Sequence, residues 1–246
     1  MKKITLLCLS LMSAVVYAQS PIITMISDGD CPGGNPKVVE IYADGAVDFA
    51  NYTLEIQTND STTWGNGLNL GSFGVVTDDF VYVYKDDVSF DTEYPSAQNT
   101  LATTSNAVNF NGDDRIRIIE DATSNTVDQF GEDSVDGTDE VWEYRDGYAK
   151  RNDGSGPDGT FFVGNWSYFN GDLENEGTCQ GGTAFENIIG IGTFNPTGGS
   201  NDPVVVITSP TDGTSFAPGT TSVDVEFNVQ NINLEDVVNI IVNGNT

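Results

Sequence analysis

The sequence predicts an all-β protein in which short strands alternate with polar, glycine-containing turns. Residues 115–118 read Arg-Ile-Arg-Ile, which places the isoleucines on one face of a strand and the arginines on the other. The dipeptide Asn111-Gly112 just before this strand is favoured in turns where φ is positive. Residues 222–229 also alternate, with valine or phenylalanine at every second position. We therefore expect two sheet-containing units joined by a connector.

The N-terminus has the features of a secretory signal peptide. Lys2 and Lys3 supply a basic start, residues 4–16 form an apolar run, and Ala18 suits cleavage before Gln19. A membrane anchor is the alternative interpretation, but this run is too short to span a bilayer. We therefore expect residues 1–18 to be removed. The mature chain is then secreted, extracellular or held at the cell surface, without a membrane span.

Two more stretches are predicted to be strands of the main domain, residues 19–180. Residues 80–84 alternate aromatic residues with valine, which is typical of a strand that is apolar on both faces. Residues 126–130 form a second short strand, which ends at Gly131. A polar loop then leads to the next aromatic cluster, so we interpret this region as a β-meander.

Four aromatic residues follow these strands: Trp142, Tyr144, Tyr148 and Trp166. A fifth, Trp64, lies in an upstream polar loop. Such residues could form a stacking platform for sugars. Filling the core of a sandwich is the more common fate of aromatic side chains, and we favour it here. Trp64 is the member that we expect to be most exposed.

The cysteine content favours one disulfide in the main domain. The chain has three cysteines, and Cys8 lies within the predicted signal peptide. Cys31 and Cys179 remain, and an even number in an exported chain indicates pairing. A bridge of this span could contribute up to about 5 kcal/mol to stability. Unpaired thiols or a metal pair are the alternative, but the chain has no histidine to complete a zinc site.

The chain is strongly acidic, with 9 Lys and Arg against 37 Asp and Glu and a formal net charge of −28. Such a surface repels phosphate backbones and offers few cations to release counterions from them. We therefore expect no direct binding of nucleic acid by this chain. The simplest interpretation of the acidity is that it keeps an extracellular protein soluble.

Calcium binding is a second interpretation of the acidity, because aspartates in loops supply hard oxygen ligands. No candidate group has the twelve-residue spacing of an EF-hand loop, so we favour solvated turns. The candidate ligands are Asp28, Asp30, Asp113, Asp114, Asp133, Asp136 and Asp139.

The residue content also limits catalysis. Because the chain has no histidine, Ser-His-Asp and Cys-His arrangements are excluded. A carboxylate pair of the glycosidase type remains, but in so acidic a chain some pair will have the right separation by chance. Glycine pairs at 181–182 and 198–199 lack the Lys and Ser/Thr of a phosphate-binding loop. We expect no catalytic residues and no cofactor.

Several motifs occur in a fixed order along the main domain. They are G-D-D at 112–114, T-V-D-Q-F-G at 126–131, and a D-G-T…W-E-Y-R-D-G-Y-A-K-R segment at 136–151. Upstream, residues 37–42 read K-V-V-E-I-Y and residues 48–54 read D-F-A-N-Y-T-L. Together these motifs resemble those of the bacterial lamin-tail domain family.

The resemblance covers roughly residues 21–180 and implies an immunoglobulin-like β-sandwich. The chain departs from the family pattern at Ala43, where asparagine is usual, and at residues 49–51, where the family has Leu-Ser-Gly. Both departures fall where a turn can absorb a change, so they leave the expected fold unaltered.

The composition changes after the main domain. Residues 181–202 are predicted to be a linker, since glycine, proline and asparagine concentrate there. Residues 203–246 resemble the start of a bacterial extracellular immunoglobulin-like module and carry three predicted strands, at 203–210, 222–229 and 237–242. A complete module needs about seven strands. We therefore expect 203–246 to be part of a longer module, in a chain that looks truncated.

Two functional hypotheses follow from the sequence. In the first, the chain is a non-catalytic extracellular accessory module for adhesion, targeting or spacing, with an extracellular or cell-surface ligand that the sequence does not identify. In the second, it is the N-terminal part of a secreted nuclease or phosphoesterase whose catalytic domain lies beyond residue 246. The resemblance supports the second hypothesis, because bacterial lamin-tail domains often accompany such enzymes.

Overall fold

The computed structural model describes residues 19–97, 100–198, 204–209, 215–217, 219–223 and 226–230. The chain divides into two compact units, Met1–Gly198 and Gly199–Thr246. Strands dominate the described residues, and those of the first unit form a β-sandwich. The prediction of an all-β sandwich is therefore confirmed. The predicted signal peptide, residues 1–18, lies outside the described residues.

The first unit contains strands β1 to β12 and two short helices. The strands are β1 (Ser20–Cys31), β2 (Asn35–Asp44), β3 (Ala46–Asp48), β4 (Tyr52–Gln57), β5 (Gly65–Asn69), β6 (Val75–Thr77), β7 (Phe80–Lys85), β8 (Leu101–Thr104), β9 (Arg115–Glu120), β10 (Thr126–Phe130), β11 (Tyr148–Arg151) and β12 (Trp166–Phe169). The α-helices are α1 (Asp87–Glu93) and α2 (Phe185–Ile189), and 3-10 turns lie at Phe49–Asn51, Leu70–Phe73, Asn106–Val108, Val163–Asn165 and Thr178–Gln180.

Two sheets form the sandwich. The larger has six strands in the order β12-β11-β1-β2-β7-β8, with only β7 and β8 parallel. The smaller has four antiparallel strands in the order β10-β9-β4-β5. Ile116 and Ile118 of β9 lie in the core between the sheets, as their alternation predicts. The predicted meander is wrong in one respect, because β11 pairs with β1 of the larger sheet and not with β10.

The six-stranded sheet is buried on both faces. Val81 and Val83 of β7 belong to the core between the sheets, while Tyr82 belongs to a second apolar cluster. This second cluster includes residues of α1 and α2, which cover the outer face of the sheet. The prediction that residues 80–84 form a strand apolar on both faces is confirmed. The first unit therefore has three layers, because the helices add to the two sheets.

A buried ion pair joins the two sheets. Asp128 of β10 and Arg151 of β11 are both fully buried, and Nη2 of the arginine lies 2.6 Å from Oδ1 of the aspartate. Asp128 also accepts hydrogen bonds from the backbone nitrogens of Ile23 and Asp158. The arginine guanidinium lies 4.5 Å from the ring centre of Trp166. The D-Q-F-G and A-K-R motifs therefore have a structural role, since they meet in this network.

The linker predicted over 181–202 is wrong for its first part, because 181–198 belongs to the first unit. Phe185 and Ile189 of α2 are buried against the six-stranded sheet. Lys150 donates to the carbonyl oxygens of Ile189 and Gly190, at 2.9 and 2.7 Å, at the end of α2. The glycines there end a helix and turn the chain, so their abundance does not indicate a flexible connector.

The second unit contains an antiparallel pair of strands, β13 (Val204–Ser209) and β14 (Glu226–Gln230). The predicted strand at 203–210 agrees with β13, and the strand predicted at 222–229 overlaps β14. The third predicted strand, 237–242, lies outside the described residues. Within the part of the chain that the structure describes, no helix is long and apolar enough to cross a membrane.

Candidate functional site: a polar cleft at one end of the sandwich

Four loops meet at one end of the sandwich and enclose a polar cleft of about 750 Å³. The turn between β1 and β2 contributes 33–34, and the chain just after β4 contributes 58–59. Residues from 109–114, which lead into β9, and from 138–146, which lead into β11, complete the lining. The cleft therefore draws on loops attached to both sheets, and it contains the G-D-D motif together with part of the W-E-Y-R-D-G segment.

Gly112 brings these two motif segments together. Its φ of +90° is the conformation that the Asn111-Gly112 dipeptide predicts. A Cβ at this position would lie only 2.6 Å from the backbone nitrogen of Arg145. The backbone nitrogen of Tyr144 donates to the Gly112 carbonyl at 2.7 Å, and the Tyr144 hydroxyl donates to the Asp114 carbonyl at 3.1 Å. The two motif segments are therefore in direct backbone contact.

Asp28 forms one side of the cleft. It is buried, forms an ion pair with Lys37, and accepts a hydrogen bond from the backbone nitrogen of Asp146 at 3.4 Å. Burial raises the pKa of the Asp28 carboxyl above its ordinary value, and the charge of Lys37 opposes this shift. The Lys37 ammonium also lies 5.9 Å from the ring centre of Phe110. One cation is therefore held at the base of the cleft by both a carboxylate and an aromatic face.

Asp113 and Asp114 form the opposite side. With its side-chain amide oriented to donate, Asn111 lies 2.7 Å from Oδ1 of Asp113 and 2.9 Å from Oδ2 of Asp114. The Thr138 hydroxyl donates to Asp113 at 3.0 Å, and the backbone nitrogen of Asn59 donates to Asp114 at 2.7 Å. Burial, with a contribution from the neighbouring Asp113 charge, raises the pKa of Asp114 to about 6.

The rim adds further polar side chains to the cleft. The Arg145 side chain is 68 % exposed, and its Nε lies 3.8 Å from Asp146. Glu143 also lines the cleft, and its carboxylate accepts a hydrogen bond from Asn170 at 2.9 Å. Asn109 and Thr58 add an amide and a hydroxyl. The cleft thus presents hydrogen-bond donors and acceptors side by side.

The structure brings Asp28, Asp113 and Asp114 of the predicted calcium ligands to this cleft. In the ranges that the structure describes, one group of three potential ligand side chains has its ligand atoms within 4.8 Å of one another, namely Cys31, Glu93 and Cys179. The cleft aspartates do not form such a group. Their oxygens instead accept hydrogen bonds from the protein, which supports the interpretation as structural turn residues.

The remaining calcium candidates do not line the cleft: Asp30, Asp133, Asp136 and Asp139. Asp30 accepts a hydrogen bond from the backbone nitrogen of Asn175 at 2.9 Å. Asp136 accepts one from the backbone nitrogen of Thr138 at 3.0 Å, and this bond lowers the pKa of its carboxyl. Both aspartates therefore stabilise turns.

The predicted cysteine pair is at bonding distance. Cys31, at the end of β1, and Cys179 have their Cα atoms 5.8 Å apart and form a disulfide. The nearby Glu93, which ends α1, is fully buried. It accepts hydrogen bonds from the backbone nitrogens of Thr178 at 3.1 Å, Cys179 at 2.9 Å and Phe185 at 3.3 Å. One carboxylate therefore holds both the cysteine loop and the start of α2.

The aromatic cluster packs as the sequence predicts. Trp142, Tyr144 and Tyr148 are buried, so they do not form an exposed stacking platform. Trp64 is partly exposed, and the Arg117 guanidinium lies 4.4 Å from its ring centre. The cation covers one face of this ring.

Sequence reasoning missed several residues that matter here: Lys37, Glu93, Glu143, Arg145 and Asp146. A signal existed for the cations, because only 9 Lys and Arg occur in the chain and each therefore has many carboxylates to pair with. No comparable signal marked Glu93, since its role depends on contacts with residues more than eighty positions away.

Comparison of the chain with protein-family models, with curated proteins and with solved structures finds no match.

Proposed function

We propose that the chain is a secreted, non-catalytic binding module whose polar cleft holds a hydroxyl-rich ligand, such as an extracellular glycan. The observation that carries the proposal is the mixed lining of the cleft. The carboxylates of Asp113, Asp114 and Glu143 line the same cavity, of about 750 Å³, as the cations of Lys37 and Arg145. Sugar hydroxyls both donate and accept hydrogen bonds, so such a ligand suits this lining.

The charge of the cleft disfavours other polar ligands. Several carboxylates line it against two cations, and the whole chain has a net charge of −28. A phosphorylated polyanion would therefore meet repulsion both at a distance and at contact. A neutral, hydroxylated ligand meets no such barrier.

The engagement of the cleft carboxylates supports a binding role over a hydrolytic one. Asp28 pairs with Lys37, and Asp114 accepts the backbone N–H of Asn59. A general acid or base must be free to exchange its proton with a bound substrate. Carboxylates that already hold the loops are better suited to fix the shape of the cleft.

Export and an accessory role rest on the sequence. The basic and apolar N-terminus indicates a signal peptide. A disulfide between Cys31 and Cys179 suits an oxidising, extracellular setting. The resemblance to bacterial lamin-tail domains supports a module that targets, spaces or attaches a larger secreted protein.

A glycan array tests the proposal. The purified chain is labelled and compared with Arg145→Ala and Glu143→Ala, which alter the rim of the cleft. Glu174→Ala is the matched control, because this exposed glutamate does not line the cleft. We expect selective retention of a subset of glycans, and loss of about tenfold in affinity for the rim variants.

Two results would contradict the proposal. Absence of selective glycan binding by the wild-type chain would refute the ligand class, and equal binding by the rim variants would place the site elsewhere. The bound glycan is then incubated with the chain and analysed by mass. Shortened products would overturn the non-catalytic part of the proposal.

A further inference from the structure

A second cavity, distinct from the polar cleft, lies between the loop that joins β10 to β11 and the loop that joins β11 to β12. Its volume is about 540 Å³, and its lining shares no residue with that of the polar cleft. Trp142 and Phe161 line it from the two loops, and Phe162, Val163 and Val141 extend the apolar surface. We call this cavity the Phe162 cleft.

Trp142 gives the Phe162 cleft a fixed wall. Its ring lies 5.9 Å from Phe130 at an interplanar angle of 89°, and 6.1 Å from Phe161. A Cβ at Gly137 would lie 2.6 Å from Cη2 of Trp142, so the backbone presses against the edge of the indole. The tryptophan therefore cannot turn without moving the chain around it.

The indole nitrogen of Trp142 is an unsatisfied donor. The residue is 2 % exposed, and its Nε1 has no hydrogen-bond partner in the described part of the chain. A buried N–H without an acceptor is unfavourable. The nitrogen has almost no accessible surface, so an acceptor reaches it only if the neighbouring loops move.

Three exposed apolar side chains line the mouth of the Phe162 cleft. Val141 is 68 % exposed, Phe162 is 62 % exposed and Val163 is 42 % exposed. These side chains line one cavity, so they form a contiguous patch and are not scattered individually. An apolar side chain of a partner would bury them.

Carboxylates border the same mouth. Glu132, Asp133 and Glu140 line the cavity and are exposed. Across the residues that the structure describes, the side chains of Glu132 and Glu140 form no ion pair. Charge complementarity therefore calls for Lys or Arg in the occupant. A second copy of this chain fits poorly, because its own net charge is −28.

We propose that the Phe162 cleft binds an extended peptide segment of a partner protein, in which an apolar side chain stands next to Lys or Arg. The apolar side chain lies between Trp142 and Phe162. The basic side chain faces Glu132 and Glu140. Burial of the apolar side chain supplies affinity, and the carboxylates at the mouth of the cleft select peptides that contain Lys or Arg.

Selection from a random peptide library displayed on phage tests the proposal on the full chain. We expect the wild-type protein to enrich peptides with Leu, Ile, Phe or Met next to Lys or Arg. A synthetic peptide of the enriched sequence should bind with an affinity that falls as salt is raised. Enrichment of acidic peptides, of peptides without this pattern, or of none would overturn the proposal.

Variants then locate the binding site. Two variants are tested separately: Phe162→Ser, and the double variant Glu132→Lys with Glu140→Lys. Each should lower the affinity for the synthetic peptide by about tenfold or more. Val88→Ser and Glu174→Lys are matched controls, because Val88 is 77 % exposed and neither residue lines the Phe162 cleft. Unchanged binding by both test variants would refute the assignment. Because the two clefts share no lining residue, this outcome is independent of the glycan experiment.

Discussion

At the scale of single residues, the motifs of this chain specify contacts more than chemistry. Gly112 is required because its φ is +90° and because its Cα faces the Arg145 backbone. Asp128 and Arg151 are required because each is the buried counter-charge of the other. Breaking such a pair on one side leaves an uncompensated charge in the core, which commonly costs about 3–5 kcal/mol.

Gly112→Ala should lower the free energy of unfolding by about 3 kcal/mol or more, because backbone strain and a steric clash add together. Gly171→Ala is the matched control, since Gly171 also has a positive φ of +78° but a Cβ there would meet no atom within 4 Å. We expect that control to lose only about 1 kcal/mol. Urea denaturation measures both. Equal losses in the two variants would mean that the approach to Arg145 is unimportant.

The Asp114 carboxyl should contribute more to the stability of the folded state at low pH than at neutral pH. The pKa of its carboxyl is about 6 in the folded state, against an ordinary value of 3.8. The folded state therefore binds the proton more tightly, so stability from this group is fully present below the ordinary value and is lost as the pH rises through about 6. Allowing for solvent screening, the change amounts to about 1–2 kcal/mol.

Asp114→Asn should remove this part of the pH dependence, as measured by urea denaturation between pH 7 and pH 4. Asp136→Asn is the control, because hydrogen bonds from Thr138 lower the pKa of the Asp136 carboxyl. The contribution of that carboxyl therefore changes only below about pH 4, and this variant should keep the wild-type slope between pH 7 and pH 4. If the Asp114 variant kept the full wild-type slope, its carboxyl would not be the responsible group.

At the scale of elements, α1 and α2 are too short to be stable alone and depend on the sheet beneath them. Phe90 of α1 and Phe185 of α2 are buried in the outer apolar cluster. Glu93 joins the two helices, since it ends the first and accepts the backbone N–H of Phe185 at 3.3 Å. The disulfide fastens the same region to the end of β1.

Glu93→Ala should lower the free energy of unfolding by about 3–5 kcal/mol with the disulfide intact, because the backbone N–H groups of Thr178, Cys179 and Phe185 lose their shared acceptor together. Glu174→Ala is the matched control at an exposed position and should change stability by less than about 0.5 kcal/mol. Chemical denaturation under non-reducing conditions measures both values. A loss below about 1 kcal/mol in the Glu93 variant would show that water replaces the carboxylate.

At the scale of the whole molecule, charge is the dominant property. A net charge of −28 on 246 residues makes the compact state repel itself, and dissolved salt screens this repulsion. Among the described residues, the aspartates that the sequence offers as calcium ligands form no group of three or more whose ligand atoms lie within 4.8 Å of one another. Stabilisation by cations should therefore be general and not specific to calcium.

The melting temperature should rise with sodium chloride between about 10 and 150 mM, since the Debye length falls from about 30 Å to 8 Å over this range. Calcium chloride and magnesium chloride at equal low-millimolar concentration should then give equal further shifts. Scanning calorimetry measures these shifts. A clearly larger shift with calcium would establish a specific site and revive the calcium interpretation.

The sequence by itself determined the all-β class, the strands at 80–84, 115–118 and 126–130, and the cysteine pair. Each of these follows from local rules. Alternation with period two specifies the two faces of a strand, and an even number of cysteines in an exported chain specifies pairing. These rules need no knowledge of what a strand packs against.

Only the tertiary structure decided how these pieces are combined. It placed β11 beside β1, extended the first unit to Gly198, and gathered Asp28, Asp113 and Asp114 into one cleft. Such contacts join residues far apart in the chain, and they depend on which surfaces exclude water together. A carboxylate such as Glu93 looks like any other in the sequence, and its buried hydrogen bonds exist only after the helices have packed on the sheet.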